Sequence, residues 1–163
     1  MSSSFTVGDL APDFQMSSRK HQRQRLSDTQ GRWTVLYFFP RANHPHCVMQ
    51  SRRFQTIHED FEAMGVSLIG VSVDTAEQQK NLSSFCTLAF PLVSDAGHEI
   101  SRQYGVLASA EVEGETVTYA RRETVLIDPA GRVAHHWKDV DPNTHAQQVL
   151  EHIGDLLGWP QHR

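Results

Sequence analysis

The sequence predicts an α/β fold in which helices flank a mixed central β-sheet. Strand and helix patterns alternate through the first part of the chain, which requires parallel strands joined by right-handed crossovers. A later pair of strands joined by a tight turn adds antiparallel neighbours. The 163 residues are 39% hydrophobic and 21% charged, a balance that is typical of a globular domain. We therefore expect one domain over residues 1–163.

The central strand of this sheet is predicted at 33–39, a nearly continuous apolar run bounded by Gly31 and Pro40. Its β-branched and aromatic residues are typical of a buried strand. The other patterns predict, in chain order, a helix over 47–65, a strand over 66–73, a helix capped by Asp74 or Thr75 that runs to about Cys86, a short strand over 90–93, a helix over 98–104, strands over 116–119, 124–128 and 133–137, and a helix over 144–157. With a polar, turn-rich N-terminal hairpin extension over 1–30, this order predicts a thioredoxin-like sandwich.

Charge and hydropathy exclude two classes of function. The net charge of -4 argues against nucleic-acid binding through a basic surface. The longest apolar runs are about ten residues, too short to span a bilayer. The first residues do not resemble a secretory signal, so we expect a cytoplasmic protein. Basic residues cluster over 19–25, where they form either the solvated face of a hairpin or a binding patch.

The chain has two cysteines, too few for a disulfide framework, so each must be judged for reactivity or burial. Cys47 is the main candidate for a reactive group. It follows the buried strand and a polar loop over 41–46, and it starts a helix. The unpaired N–H groups and partial positive charge of a helix N-terminus stabilise a thiolate, so we expect a pKa below neutral. A thiolate is a nucleophile, and sites collect at the carboxyl ends of parallel strands. The alternative is a small buried apolar residue.

Four segments carry a resemblance to a known family. Residues 7–14 match the pattern VGxxAPDF, and residues 37–47 are similar to FYPxxxTPGC. Residues 90–95 are similar to FPLLSD, and residues 122–133 are similar to RxTFLIDxxGxV. These are motifs of the peroxiredoxins, present here in the family's order and over nearly the whole chain. The loop motif resembles the bacterioferritin-comigratory, or Q, type.

The resemblance implies roles for four residues. Cys47 falls on the peroxidatic cysteine, which attacks a peroxide oxygen and becomes a sulfenic acid. Pro40 falls on the proline that shields the thiolate, and Arg122 on the arginine that lowers the thiolate pKa and holds the peroxide. Gln50 falls where the family has a Glu or Gln that helps to order the pocket. From the residues alone, Arg121 and Arg122 could instead be a solvated pair, and Gln50 an ordinary surface residue.

Two positions of the active loop depart from the family pattern. His44 stands where the family has a Thr or Ser whose hydroxyl binds the thiolate and the peroxide. An imidazole can also donate a hydrogen bond, so His44 could substitute for that hydroxyl, or its larger ring could block the pocket. His46 replaces a glycine at a position where a left-handed backbone is possible.

The resolving cysteine also departs from the commonest pattern. Many Q-type proteins carry it five residues after the peroxidatic one, where this chain has Arg52. Others carry it on the helix before the FPLLSD segment, and Cys86 lies there, about one turn later than usual. Cys86 is thus either the resolving cysteine or a core residue. In the second case an external thiol would reduce oxidised Cys47.

Two functions remain open from the sequence. The first is a thiol-dependent peroxidase that reduces hydrogen peroxide and organic hydroperoxides without a cofactor, receives electrons from thioredoxin or a similar dithiol, and is a monomer or weak homodimer. The second is a redox sensor or metal-binding relative, because the group formed by His44, His46 and Cys47 contains zinc and copper ligands. No second cluster has ligand spacing among the ten histidines. His145 and His152 are interpreted as exposed helix positions.

Overall fold

A computed structural model describes residues 5–17 and 23–158 of the chain. The elements are β1 (Gln15–Ser17), β2 (Arg23–Arg25), a short 3-10 helix (Leu26–Thr29), β3 (Trp33–Phe38), α1 (Pro45–Thr56), α2 (His58–Ala63), β4 (Val66–Ser72), α3 (Ala76–Cys86), β5 (Leu92–Ser94), α4 (Glu99–Gln103), β6 (Leu107–Val112), β7 (Glu115–Ala120), β8 (Glu123–Ile127), β9 (Val133–Trp137) and α5 (His145–Leu157).

The central sheet has five strands in the order β5-β4-β3-β8-β9. Strands β3, β4 and β5 are parallel, whereas β8 and β9 pair antiparallel, so the sheet is mixed as predicted. Gly70 on β4 lies opposite Tyr37 on β3, and a Cβ at Gly70 would come within 2.9 Å of the Tyr37 ring. The absence of a side chain at Gly70 therefore lets the Tyr37 ring lie over β4.

Apolar side chains cover both faces of the sheet because those of a strand alternate between its faces. Leu36 and Phe38 belong to one buried cluster, and Val35, Tyr37 and Phe39 belong to the other. Cys47 belongs to the second cluster, together with Phe54 of α1 and Val149 and Ile153 of α5. The candidate nucleophile therefore lies between the sheet and the layer of α1 and α5.

Most predicted elements are present, and the mixed α/β fold class is confirmed. The N-terminal hairpin is formed by β1 and β2, which pair antiparallel. The prediction differs from the structure at two places. The helix predicted over 47–65 begins at Pro45 and is interrupted at Ile57, so it forms α1 and α2. Strand β6 was not predicted, although it pairs with β7 along its whole length.

Two further expectations concern surfaces. The basic cluster over 19–25 lies largely outside the described residues; of its members, Arg25 forms a surface ion pair with Asp13 at 2.9 Å. Within residues 5–17 and 23–158, no helix is both long enough and apolar enough to cross a membrane.

Candidate active site

Helix α1 begins where the loop after β3 ends, and His44 caps it. The Nδ1 atom of His44 accepts a hydrogen bond from the backbone N–H of His46 at 3.1 Å. Pro45 occupies the first helical turn, where the missing N–H of proline has no consequence. Cys47 is thus the third residue of α1, within the first turn, which confirms that its sulfur lies at a helix N-terminus.

Arg122 connects Cys47 with Gln50. Its Nη2 donates to Cys47 Sγ at 3.2 Å, and its Nη1 donates to Gln50 Oε1 at 2.5 Å. The backbone N–H of Arg41 is also close enough to the sulfur to lower its pKa. Arg122 immediately precedes β8, which pairs with β3, so the sheet brings it to the carboxyl end of β3. The alternatives of a solvated arginine pair and a surface glutamine were therefore wrong.

The pKa of Cys47 shifts in the direction opposite to the one expected from the sequence. The side chain is fully buried, and this burial raises the pKa of the thiol. The charge of Arg122, the Arg41 N–H and the Arg122 hydrogen bond each lower it, but together they do not offset burial. The carboxylate of Asp74 raises it further. In this structure the net effect of these groups is that the pKa of the Cys47 thiol is raised, with burial as the largest cause.

Asp74 fixes the active loop, a role that the sequence reasoning missed. Its Oδ2 accepts hydrogen bonds from the backbone N–H of Ala42 at 2.7 Å and from Ser72 Oγ at 2.6 Å. Its Oδ1 lies 3.9 Å from Nη1 of Arg41, whose Nη2 donates to the Thr118 carbonyl of β7 at 2.9 Å. Asp74 follows the carboxyl end of β4, the sheet edge where sites collect, and that position was the available signal.

The helix predicted to start at Asp74 or Thr75 has Thr75 as its N-cap. Thr75 Oγ1 accepts from the backbone N–H of Gln78, whose side chain accepts in return from the N–H of Thr75. This reciprocal pair is a capping box. Asp74 is thereby free to bind the loop.

The remaining predicted loop residues lie at the edge of this site. Pro40 is half-buried shortly after β3, at the start of the loop that leads to α1 and Cys47. His44 and His46 are exposed, with ring centroids 5.1 Å apart. Among the described residues, no hydrogen bond joins either imidazole to Cys47. His44 therefore acts as a helix cap in this structure, and its ring does not fill the pocket around the sulfur.

Cys86 ends α3 beside the first turns of α1. Its Sγ lies 4.0 Å from the carbonyl oxygen of Val48, the residue that follows Cys47. Cys86 is half-buried, and both cysteines are free thiols. Between them, Tyr37 is close enough that both sulfurs influence its hydroxyl, whose pKa is raised chiefly by burial. That hydroxyl is 2.9 Å from Ser51 Oγ.

The histidines that the structure describes do not assemble into a metal site. Within residues 5–17 and 23–158, no group of three or more His, Cys, Asp or Glu side chains could hold a metal ion. His145, expected to be exposed, is fully buried between Thr124 Oγ1 at 2.7 Å and Gln148 Oε1 at 3.0 Å. Burial lowers its pKa to about 4, so it is neutral. The expectation failed because the helix face that bears His145 packs on β8.

Comparison with known proteins shows the family to which this chain belongs. The sequence matches the AhpC/TSA family over residues 7–136. The chain belongs to the AhpC/TSA family. It is 30% identical over 144 residues to peroxiredoxin Bcp of Escherichia coli (strain K12), covering 88% of this chain and 92% of that protein. It is 29% identical to peroxiredoxin Bcp of Bacillus subtilis (strain 168), covering 92% of this chain and 96% of that protein.

Solved structures of AhpC/TSA family members share the fold. A serine variant of Xylella fastidiosa PrxQ superposes with a TM-score of 0.86 at 26% identity, covering 95% of this chain and 99% of that chain. A trapped intermediate or ligand complex of Xanthomonas campestris bacterioferritin comigratory protein, described with its alkyl peroxide reduction activity, has a TM-score of 0.80 at 28% identity. That match covers 88% of this chain and 92% of the other. The protein is a peroxiredoxin of the bacterioferritin-comigratory, or Q, type.

Proposed function

We propose that Cys47 is the peroxidatic cysteine of a thiol-dependent peroxidase that reduces hydrogen peroxide and organic hydroperoxides. The observation that carries the proposal is the contact at 3.2 Å between Arg122 Nη2 and Cys47 Sγ at a helix N-terminus. A guanidinium and a backbone N–H beside one sulfur favour its anionic form. The same groups are donors for the oxygens of a bound peroxide.

The reaction needs only the sulfur and the peroxide. The Cys47 thiolate attacks one oxygen, so that an S–O bond forms while the O–O bond breaks. The second oxygen leaves with the electron pair, takes a proton and departs as water or an alcohol. The sulfur is oxidised to a sulfenic acid. Arg122 and the Arg41 N–H stabilise the charge, and Pro40 limits the access of water.

The buried position of Cys47 requires the loop over 41–46 to move before a peroxide reaches the sulfur. Residues 43–46, which span the end of this loop and the first two residues of α1, are exposed, so they can move without disrupting the core. Movement that admits water also removes part of the burial that raises the Cys47 pKa. Thiolate formation and peroxide entry are therefore coupled in this proposal.

We also propose that Cys86 resolves the sulfenic acid. An S–S bond then forms between Cys86 and Cys47, and water is released. The carbonyl next to Cys47 is already 4.0 Å from Cys86 Sγ, so the two helices are neighbours. Because Cys47 faces Arg122 inside the pocket, the first turn of α1 must unwind to bring the sulfurs into bonding range. A dithiol of the thioredoxin type then reduces the disulfide by exchange.

Intact mass after one equivalent of hydrogen peroxide tests both roles. The wild-type protein should lose two hydrogen atoms, whereas Cys86→Ser should gain one oxygen atom. Cys47→Ser should keep its mass and consume no peroxide. If Cys47→Ser consumed peroxide at the wild-type rate, the peroxidatic assignment would be wrong. A gain of oxygen by the wild-type protein would instead refute resolution by Cys86. A monomer or weak homodimer, and a cytoplasmic location, stay predictions.

A further inference from the structure

The side-chain amide of Gln50 has a hydrogen-bond partner for its oxygen but none, among the described residues, for its nitrogen. Gln50 is fully buried, and its Oε1 accepts from Arg122 Nη1 at 2.5 Å. Its Nε2 has no hydrogen-bond partner within the described parts of the chain. A guanidinium can only donate, so the oxygen must face Arg122 and the amide cannot be reversed. The orientation of the unpaired N–H donors is therefore fixed.

A buried donor without an acceptor destabilises a folded protein, so each such group in a native structure calls for a reason, such as a catalytic role or a bound water. The position of Gln50 indicates that reason. Cys47 and Gln50 are three residues apart on α1, so they share one face of the helix. Arg122 contacts the sulfur with one nitrogen and the Gln50 oxygen with the other. The unpaired amide therefore lies in the same pocket as the reacting sulfur.

We propose that Gln50 Nε2 donates a hydrogen bond to an oxygen of the hydroperoxide bound at Cys47. This inference rests on the proposed function. As the S–O bond forms and the O–O bond breaks, the electron pair moves onto the leaving oxygen, which then takes a proton and departs. A prepositioned amide donor stabilises that negative charge without reorganising during the reaction. Gln50 transfers no proton and is unchanged by the reaction.

The substitution Gln50→Glu separates the donor from the acceptor. It keeps a carboxylate oxygen for Arg122 and removes the N–H groups. Two second-order rate constants are measured across pH, one for hydrogen peroxide and one for iodoacetamide. Iodoacetamide reports how much Cys47 thiolate is present and how accessible it is, but it brings no peroxide oxygen. In Gln50→Glu, the high-pH plateau for peroxide should fall about 10- to 100-fold more than the plateau for iodoacetamide.

The added negative charge needs its own control. Arg52→Gln, at an exposed position of α1, changes the net charge by the same amount and leaves the Gln50 amide intact. In Arg52→Gln, the ratio of the peroxide plateau to the iodoacetamide plateau should equal that of the wild-type protein. If Gln50→Glu does not fold, Gln50→Met removes both halves of the amide with little change in length. It should lower the peroxide plateau relative to iodoacetamide by at least as much.

The outcomes separate this inference from the proposed function. Equal losses of both plateaus in a folded Gln50 variant would overturn the donor role, because only thiolate supply or access would then have changed. A ratio lowered equally in Arg52→Gln would also overturn it. Peroxide consumption that survives in Cys47→Ser would instead refute the proposed function. Both proposals hold if Cys47→Ser consumes no peroxide and if the ratio of the peroxide plateau to the iodoacetamide plateau falls only in the Gln50 variants.

Discussion

Replacing Asp74 with asparagine should loosen the active loop. It should lower the pKa of Cys47, which favours the thiolate, but it should also lower the maximal rate of the reaction with hydrogen peroxide. The Asp74 carboxylate accepts the Ala42 N–H at 2.7 Å and the Ser72 hydroxyl at 2.6 Å, and it faces Arg41. An asparagine oxygen can replace the accepting oxygen without its charge. Hydrogen bonds to a charged group are roughly twice as strong as neutral ones, so the loop hydrogen bonds should weaken.

The expected loss of stability follows from these two bonds. About 1–3 kcal/mol in total is lost when both change from charged to neutral acceptors. For a chain of this size, each kcal/mol lowers the melting temperature by about 2–4 °C. We therefore expect Asp74→Asn to melt about 2–12 °C below the wild-type protein.

The chemical effect has two parts. The Asp74 carboxylate raises the pKa of Cys47, so Asp74→Asn should lower that pKa and move the iodoacetamide profile to lower pH. The Arg41 N–H that contacts the sulfur belongs to the loop that Asp74 holds. Its displacement should reduce the high-pH plateau for hydrogen peroxide about tenfold, equivalent to about 1.4 kcal/mol of lost transition-state stabilisation.

Asp95→Asn is the matched control. Asp95 is also buried, and its two oxygens accept the N–H groups of Ile100 and Ser101 at 2.9 and 2.7 Å, so it holds α4 instead of the active loop. This variant should be destabilised at least as much and keep the wild-type peroxide plateau. The reasoning is refuted if both variants lose the same fraction of peroxidase activity, or if Asp74→Asn raises the Cys47 pKa.

Two further substitutions test the site. Arg122→Met removes the charge that favours the thiolate, so the pKa of Cys47 should rise. The iodoacetamide profile should then move to higher pH, and the peroxide rate at pH 7 should fall at least about 100-fold; an unmoved profile contradicts this role. His44→Ala removes the cap of α1 and should cost about 1 kcal/mol in urea unfolding, whereas His44→Thr should restore most of it. Equal stabilities of the His44→Ala and His44→Thr variants would show that capping of α1 at this position contributes nothing to stability.

The elements that sequence patterns predict best are those whose pattern is set by burial. The strand at 33–39 was found because five of the six residues of β3 are buried. The strand β6 was missed because its side chains are half-buried or exposed, so it shows no apolar alternation. The break at Ile57 was also invisible, because apolar residues continue at helical spacing on both sides of it.

The composition of the candidate site was predictable to the extent that motifs fix single positions. The family resemblance assigned Cys47, Arg122 and Gln50 to one pocket, and the structure joins them by two hydrogen bonds. It said nothing of Asp74, whose partners lie 32 positions away at Ala42 and two positions away at Ser72. Such pairings depend on how β3 and β4 lie side by side, which a linear pattern does not contain.

The direction of the Cys47 pKa shift shows the same limit. Sequence reasoning counted the groups that favour a thiolate, the helix N-terminus and Arg122, and both lie beside the sulfur. It did not count desolvation, which is the largest influence on the pKa and opposes them. In the proposed mechanism, movement of the loop reduces this desolvation, whereas Arg122 stays beside the sheet in contact with Gln50. We infer that loop opening makes the thiolate more stable, so the sulfur becomes charged as the oxidant gains access. Asp74 opposes this change both by holding the loop and by its charge, which is why its replacement should lower the Cys47 pKa.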